Sequence, residues 1–194
     1  MKKIMKKIIT IFLISIVFPI YYVGDTVSLS DQNIVLDVCD ATSEYSVGDE
    51  IKLADWNGDL NGGDYHVIWL ELSASWWPSC YQSIGTMDNI HSNWGDEEAV
   101  AMALELSDPN QPYSCATWGG QFDDSEPLIV NGGSPYYHWW GMFEDTYVPA
   151  NAFIDHKMRL HYKTNSLSYA TANSSPPAFV ALYGLVELYL SFSL

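Results

Sequence analysis

Between Tyr65 and Ser73 the chain reads YHVIWLELS, a run of β-branched, aromatic and aliphatic residues without a polar–apolar alternation. Such a run fits a strand covered on both faces, and a strand of that kind needs a layer of chain on each side of its sheet. Pro78 then opens a helical stretch that reads through about Trp94. Proline suits the first turn of a helix, where its missing N–H would have no partner anyway. Glu98 to Glu105 (EAVAMALE) reads as the next buried strand. Strand, helix and strand in this order predict an α/β fold of three layers around a mixed sheet.

The rest of the chain supplies the remaining pieces. Tyr45 to Asp64, with the turn-rich Asp55-Trp56-Asn57-Gly58-Asp59, reads as a short hairpin. Asp108 to Phe122 reads as a loop with a short helix, Pro127 to Val130 as a further apolar piece, and Gly132 to Glu144 as an aromatic-rich loop. Ala150–Asp155 and Met158–Lys163 read as two strands joined by a turn at His156-Lys157. One domain over 45–166 is expected, preceded by a polar arm over 25–44 and followed by an atypical apolar tail over 167–194.

The first 24 residues read as an address. Lys2, Lys3, Lys6 and Lys7 precede the uncharged run from Ile8 to Val23, and the first acid is Asp25. Basic then apolar is the order of a secretory signal, whether cleaved or kept as a membrane anchor. The run is short for a span of about 20 residues. An extracytoplasmic location, periplasmic or secreted, follows, with a membrane tether through this segment as one form of it. Beyond the segment only Lys52, Lys157, Arg159 and Lys163 offset 24 acids, a net charge of -20. That charge excludes a nucleic-acid partner, which requires a basic face.

Ser73 to Cys80 reads S-A-S-W-W-P-S-C, at the end of a buried strand and the start of a helix. Farther on stands Tyr147-Val148-Pro149-Ala150-Asn151-Ala152-Phe153-Ile154-Asp155. With Tyr45-Ser46-Val47-Gly48-Asp49 and Leu53 to Gly58, these motifs resemble the thioredoxin-fold redoxins, especially the extracytoplasmic thiol–disulfide oxidoreductases of the TlpA and ResA type. The resemblance spans roughly 45 to 165. It implies a thioredoxin-like fold, with a central mixed β-sheet flanked by helices and a cis proline at Pro149. It also implies partners that are protein thiols, protein disulfides or extended peptide segments, and no cofactor.

One departure dominates the functional reading. The family motif places the attacking cysteine where this chain has Trp77, so the expected W-C-P-S-C is W-W-P-S-C. The first thiol of such a motif works as a thiolate stabilised by the unpaired N–H groups of a helix start, and the second resolves the mixed disulfide. Indole carries no sulfur, so the two-cysteine cycle within this motif is impossible. Cys80, at the resolving position, is the remaining motif thiol. Cys115 follows the neighbouring strand, so a pair with Cys80 is one expectation; two buried free thiols are the other. Three functions stay open: a retuned redox protein, a one-cysteine peroxidase using Cys80 with Cys115, and a binding module. For the last, Trp76, Trp77, Pro78, Val148 and Pro149 would line a groove that accepts extended peptide through backbone hydrogen bonds. A decayed member of the family would keep the same fold.

Glu71 lies in the strand leading to the motif, where an apolar residue is usual. A buried carboxylate is costly, so its pKa should rise or a partner should appear. Redoxins often place a proton-relaying acid near the dithiol, and Glu71 is a candidate for that role. Asp55 to Asp64 looks like a calcium loop, but Leu60 and His66 stand where an EF-hand needs glycine and glutamate. A polar turn is expected there. His66, His91, His138, His156 and His161 show no ligand spacing, and no metal site is expected. Tyr136 and Tyr137 are candidates for an exposed surface, and Trp140 and Phe143 for packing against the proline loop. Ala178 to Leu194 has Glu187 as its one charge, which reads as a docked terminal helix in preference to a membrane segment.

Overall fold

The computed structural model describes residues 20–40, 42, 44–91, 100–106, 112–122, 127–132, 138–143 and 146–165. Most of the expected leader, Tyr136 and Tyr137, and the apolar tail lie outside the described residues.

Seven strands form one sheet in the order β2-β1-β5-β4-β3-β6-β7. They are β1 (Leu36–Asp40), β2 (Glu50–Ile51), β3 (Val67–Ser73), β4 (Val100–Leu106), β5 (Leu128–Asn131), β6 (Ala150–Ile154) and β7 (Leu160–Thr164). β3, β4 and β5 run parallel; β1 and β6 are antiparallel to their inner neighbours, and β2 and β7 complete the edges. Every residue of β3 and β4 is buried, as a strand flanked on both sides and covered on both faces must be. The mixed α/β sheet expected from the residue pattern is the observed one.

Alternate residues of the inner strands feed two cores. Ile68, Leu70, Leu72, Ala101 and Ala103 face one side. There they meet Leu53, Trp56 and the helix α5 (His138–Phe143), with its buried Trp139, Met142 and Phe143. Leu104, Leu106 and Ile129 face the other side, with Cys80 and Ile84 of α3 (Pro78–His91) and with Cys115 and Trp118 of α4 (Cys115–Gly119). Full burial of each large aliphatic or aromatic side chain contributes roughly 1.5–3 kcal/mol.

Three segments differ from their sequence reading. The polar arm holds a short helix, α1 (Leu29–Gln32), and then β1, which pairs with both β2 and β5 inside the sheet. Leu36 and Val38 point into the core, so a short stretch among polar neighbours still makes an inner strand. Tyr21, counted above in the leader, packs against Phe143, and its N–H donates to the Met142 carbonyl at 2.8 Å. The expected hairpin at 45–64 is instead β2, a 3-10 turn at Leu53–Trp56 and a single-turn helix, α2 (Gly58–Asn61). Asn57 caps α2 by accepting the Asp59 N–H, and Gly62 closes it in the left-handed region at φ 106°. The calcium-like segment is thus a pair of capped helical turns.

The topology collects the motif residues at one sheet edge. Ser73, Leu106 and Asn131 end the three parallel strands side by side, and Leu72 pairs with Ala150 at the start of β6. The chain leaving β3 and the chain entering β6 therefore emerge together.

Candidate functional site

The turn from β3 into α3 presents the aromatic pair. Trp77 N–H donates to the Ala74 carbonyl at 3.3 Å, and Cys80 N–H donates to the Trp77 carbonyl at 3.0 Å. Pro78 opens α3, as expected for a residue without an N–H to satisfy. Trp76 is 54% exposed and Trp77 44% exposed, and their rings meet edge to face at 5.7 Å. One turn along, exposed Tyr81 lies against Phe122 at 4.7 Å between ring centroids. Large exposed aromatics gathered at a turn mark a contact surface more often than a random one.

Across the strand pair lies the second motif. The Val148–Pro149 peptide bond is cis. Val148 packs against the core cluster that holds Cys80, Leu106 and Trp118, and Tyr147 just before it is exposed. With Leu72 opposite Ala150, Pro149 stands one step outside the ladder, beside the chain that leads to Trp76. Trp76, Trp77, Pro78, Val148 and Pro149 thus belong to one edge.

Cys80 is fully buried and stands outside the disulfide. Its Sγ accepts the Ala74 N–H at 3.4 Å. Cys115 is not its partner. The structure joins Cys115 to Cys39 of β1, with 5.7 Å between Cα atoms, inside the usual disulfide range. The physical reason is the position of α4: it packs over β1 and β5, which brings its first residue to the strand the sequence reading had placed in a linker. The pair Cys80–Cys115 is accordingly replaced by one disulfide and one buried thiol.

Glu71 is fully buried on the α3 side of β3. Burial pushes its carboxyl from 4.5 up to about 8, against the opposing pull of the Ser83 and Ser73 hydroxyls. Ser83 Oγ lies 2.5 Å from Glu71 Oε1 and 2.7 Å from the Cys80 carbonyl oxygen. A serine hydroxyl has one proton and the carbonyl has none. Both contacts draw on the one Ser83 hydroxyl proton, which is shared between the Glu71 carboxyl and the Cys80 carbonyl as acceptors. A buried acid, pushed toward its neutral form by burial, therefore lies on β3 against Ser83 of α3. On the neighbouring strand Asn151 pairs with Glu71 in register, and its Oδ1 accepts the Trp69 indole N–H at 2.8 Å.

Three residues of this region escaped the sequence reading. Cys39 was hidden because β1 was not recognised as a strand. Ser83 was legible in principle, being three residues after Cys80 and so on the same helix face. Glu105 closed a strand pattern and drew no attention, yet it is a second fully buried acid, pushed up to about 7 by burial while the backbone N–H groups of Trp140, Trp139 and His138 pull it back. No cluster of three or more metal-ligating side chains occurs among the described residues.

No family model matches the chain, and no curated protein matches it. Solved structures do. A Chlorobium tepidum chain described as a thiol:disulfide interchange protein DsbE superposes with a TM-score of 0.61 at 16% identity, over 85% of this chain and 98% of that one. A thiol-disulfide isomerase from Corynebacterium glutamicum gives 0.56 at 14% identity, over 84% and 96%. The exposed lipoprotein thioredoxin Etrx1 of Streptococcus pneumoniae gives 0.52 at 19% identity, over 70% and 90%. At such identities the likeness speaks of architecture. This chain has the thioredoxin-like fold that these solved structures share.

Proposed function

We propose that this protein is an exported thioredoxin-fold module that holds extended polypeptide in the groove between the Trp76–Trp77 turn and the Val148–Pro149 loop, without dithiol exchange. The observation that carries the reading is the pairing of an exposed indole at 77 with a fully buried thiol at 80. The helix start that would activate a thiolate bears no sulfur, and the Cys80 thiol, which is outside the disulfide, is fully buried. What remains is an edge with exposed aromatic surface and a cis proline, the geometry that accepts a strand-like peptide through main-chain hydrogen bonds. Aromatic side chains supply large contact area at small entropic cost.

Export is supported by the basic-then-apolar leader and by a disulfide, which persists in oxidising compartments. The likeness to a secreted disulfide oxidoreductase of Mycobacterium tuberculosis and to an exposed lipoprotein thioredoxin points the same way. Unfolded or partly folded exported proteins, including those bearing thiols or disulfides, are the fitting partners.

The test uses fluorescein-labelled insulin B chain with its cysteines carbamidomethylated. Binding should be measurable by anisotropy, fall on Trp76→Ala or Trp77→Ala, and survive Cys80→Ser. Absence of binding, or its loss in Cys80→Ser, overturns the reading. So does catalysis of insulin reduction by dithiothreitol at a rate comparable with an intact dithiol protein.

A further inference from the structure

Glu105 ends up fully buried on the α5 side of β4. Its Oε2 accepts the Trp140 N–H at 2.6 Å, and its Oε1 accepts the Trp139 N–H at 3.2 Å. A helix leaves its first N–H groups without internal partners, and here a carboxyl from a neighbouring strand takes them. The opposite end of α5 is held by a cation. Lys163 Nζ of β7 donates to the Phe143 carbonyl at 3.1 Å and to the Tyr21 carbonyl at 3.2 Å. An acid at the start and a base at the end match the helix dipole.

The space for that carboxyl depends on residue 132 being glycine. A Cβ there would lie 2.7 Å from Glu105 Oε1 and 2.9 Å from the Leu106 carbonyl oxygen. An exposed serine or aspartate before α5 would cap the helix without burying an acid. The buried arrangement instead ties α5 to the sheet at the strand end next to β3.

From this fixed helix the Trp140 indole reaches out, and its Nε1–H donates to the Tyr147 carbonyl at 3.4 Å. Tyr147 immediately precedes Val148 and cis-Pro149. We propose that Glu105 is a positioning residue of the peptide groove: it sets α5 against the sheet, and α5 through Trp140 holds the Tyr147–Pro149 wall. This rests on the groove-binding reading above for its purpose, although the mechanical link is a property of the free protein.

Hydrogen exchange of the full chain, read on fragments covering 146–151, tests the link without any ligand. Glu105→Gln keeps one acceptor oxygen and loses the second, and should speed exchange there by about tenfold. Trp140→Phe, which removes the indole N–H and keeps a ring, should do the same. The double variant should show little further gain, because both act on one path. Leu36→Ala, in the same core but away from the groove, should leave 146–151 unchanged relative to other segments. Unchanged exchange at 146–151 in Glu105→Gln and Trp140→Phe, or a rise spread evenly over the protein, overturns the proposal. Affinity for the carbamidomethylated insulin B chain is the second reading: both variants should weaken it severalfold. If the unaltered protein fails to bind that probe while the exchange pattern holds, the groove-binding reading falls and the positioning link stands.

Discussion

The Ser83 hydroxyl bridges the Glu71 carboxyl and the Cys80 carbonyl, so one helix side chain ties the buried acid of β3 to the first turn of α3. Burial pushes Glu71 toward its neutral form, and the same helix begins just after the exposed indole of Trp77.

Glu71 makes stability depend on pH. Its folded pKa of about 8 lies above the ordinary 4.5, so between these values the unfolded chain releases a proton that the folded chain retains. Stability should therefore fall as pH rises from about 4.5 to about 8, with Glu105 adding a similar slope up to about 7. Glu71→Gln should flatten that slope and raise stability at pH 8.5 by on the order of a few kcal/mol. Urea denaturation at pH 5 and pH 8.5 checks this. An identical pH slope in the variant would show that Glu71 does not titrate in the folded state as described.

Trp77→Cys should create a working dithiol. The new thiol would stand at the start of a helix of 14 residues, three positions from Cys80. Insulin reduction with dithiothreitol should rise from background to readily measured turnover. The additional change Cys80→Ser should abolish it. If the single variant folds and stays inactive, the site has diverged in more than its nucleophile.

The Cys39–Cys115 disulfide closes a loop across a sequence separation of 76. By the chain-entropy relation a loop of this size stabilises by about 4 kcal/mol. Cys39→Ala with Cys115→Ala should lower the unfolding free energy by roughly that amount. Reductant should destabilise the unaltered protein and have no effect on the double variant. Equal stability with and without the disulfide would mean that β1 and α4 are held by packing alone.

Thiol alkylation should report a single, slow site. In the folded oxidised protein Cys80 is fully covered, so iodoacetamide should leave it unmodified over minutes. In denaturant without reductant one thiol per chain should react, and peptide mapping should place it at Cys80. Two or three reactive thiols, or label at Cys115, would contradict the pairing.

Local pattern alone determined a good deal of this protein. The apolar runs over β3 and β4 named two strands buried on both faces, because no other placement hides so many branched and aromatic side chains. Pro78 marked the start of α3, because only a first turn tolerates a missing N–H. The residue at 77 took the two-cysteine cycle out of its motif, because indole carries no sulfur. Other features belong to the tertiary structure. Cys39 meets Cys115 only because α4 lies over β1, a contact between residues far apart in the chain. Ser83 finds Glu71 only because α3 packs on the β3 face that carries the acid. Glu105 holds α5, and through it the proline loop, only because Gly132 leaves room for its carboxyl. Periodicity reports which way a side chain points within its own element; what it meets there depends on how distant elements pack, and that is decided when the layers close.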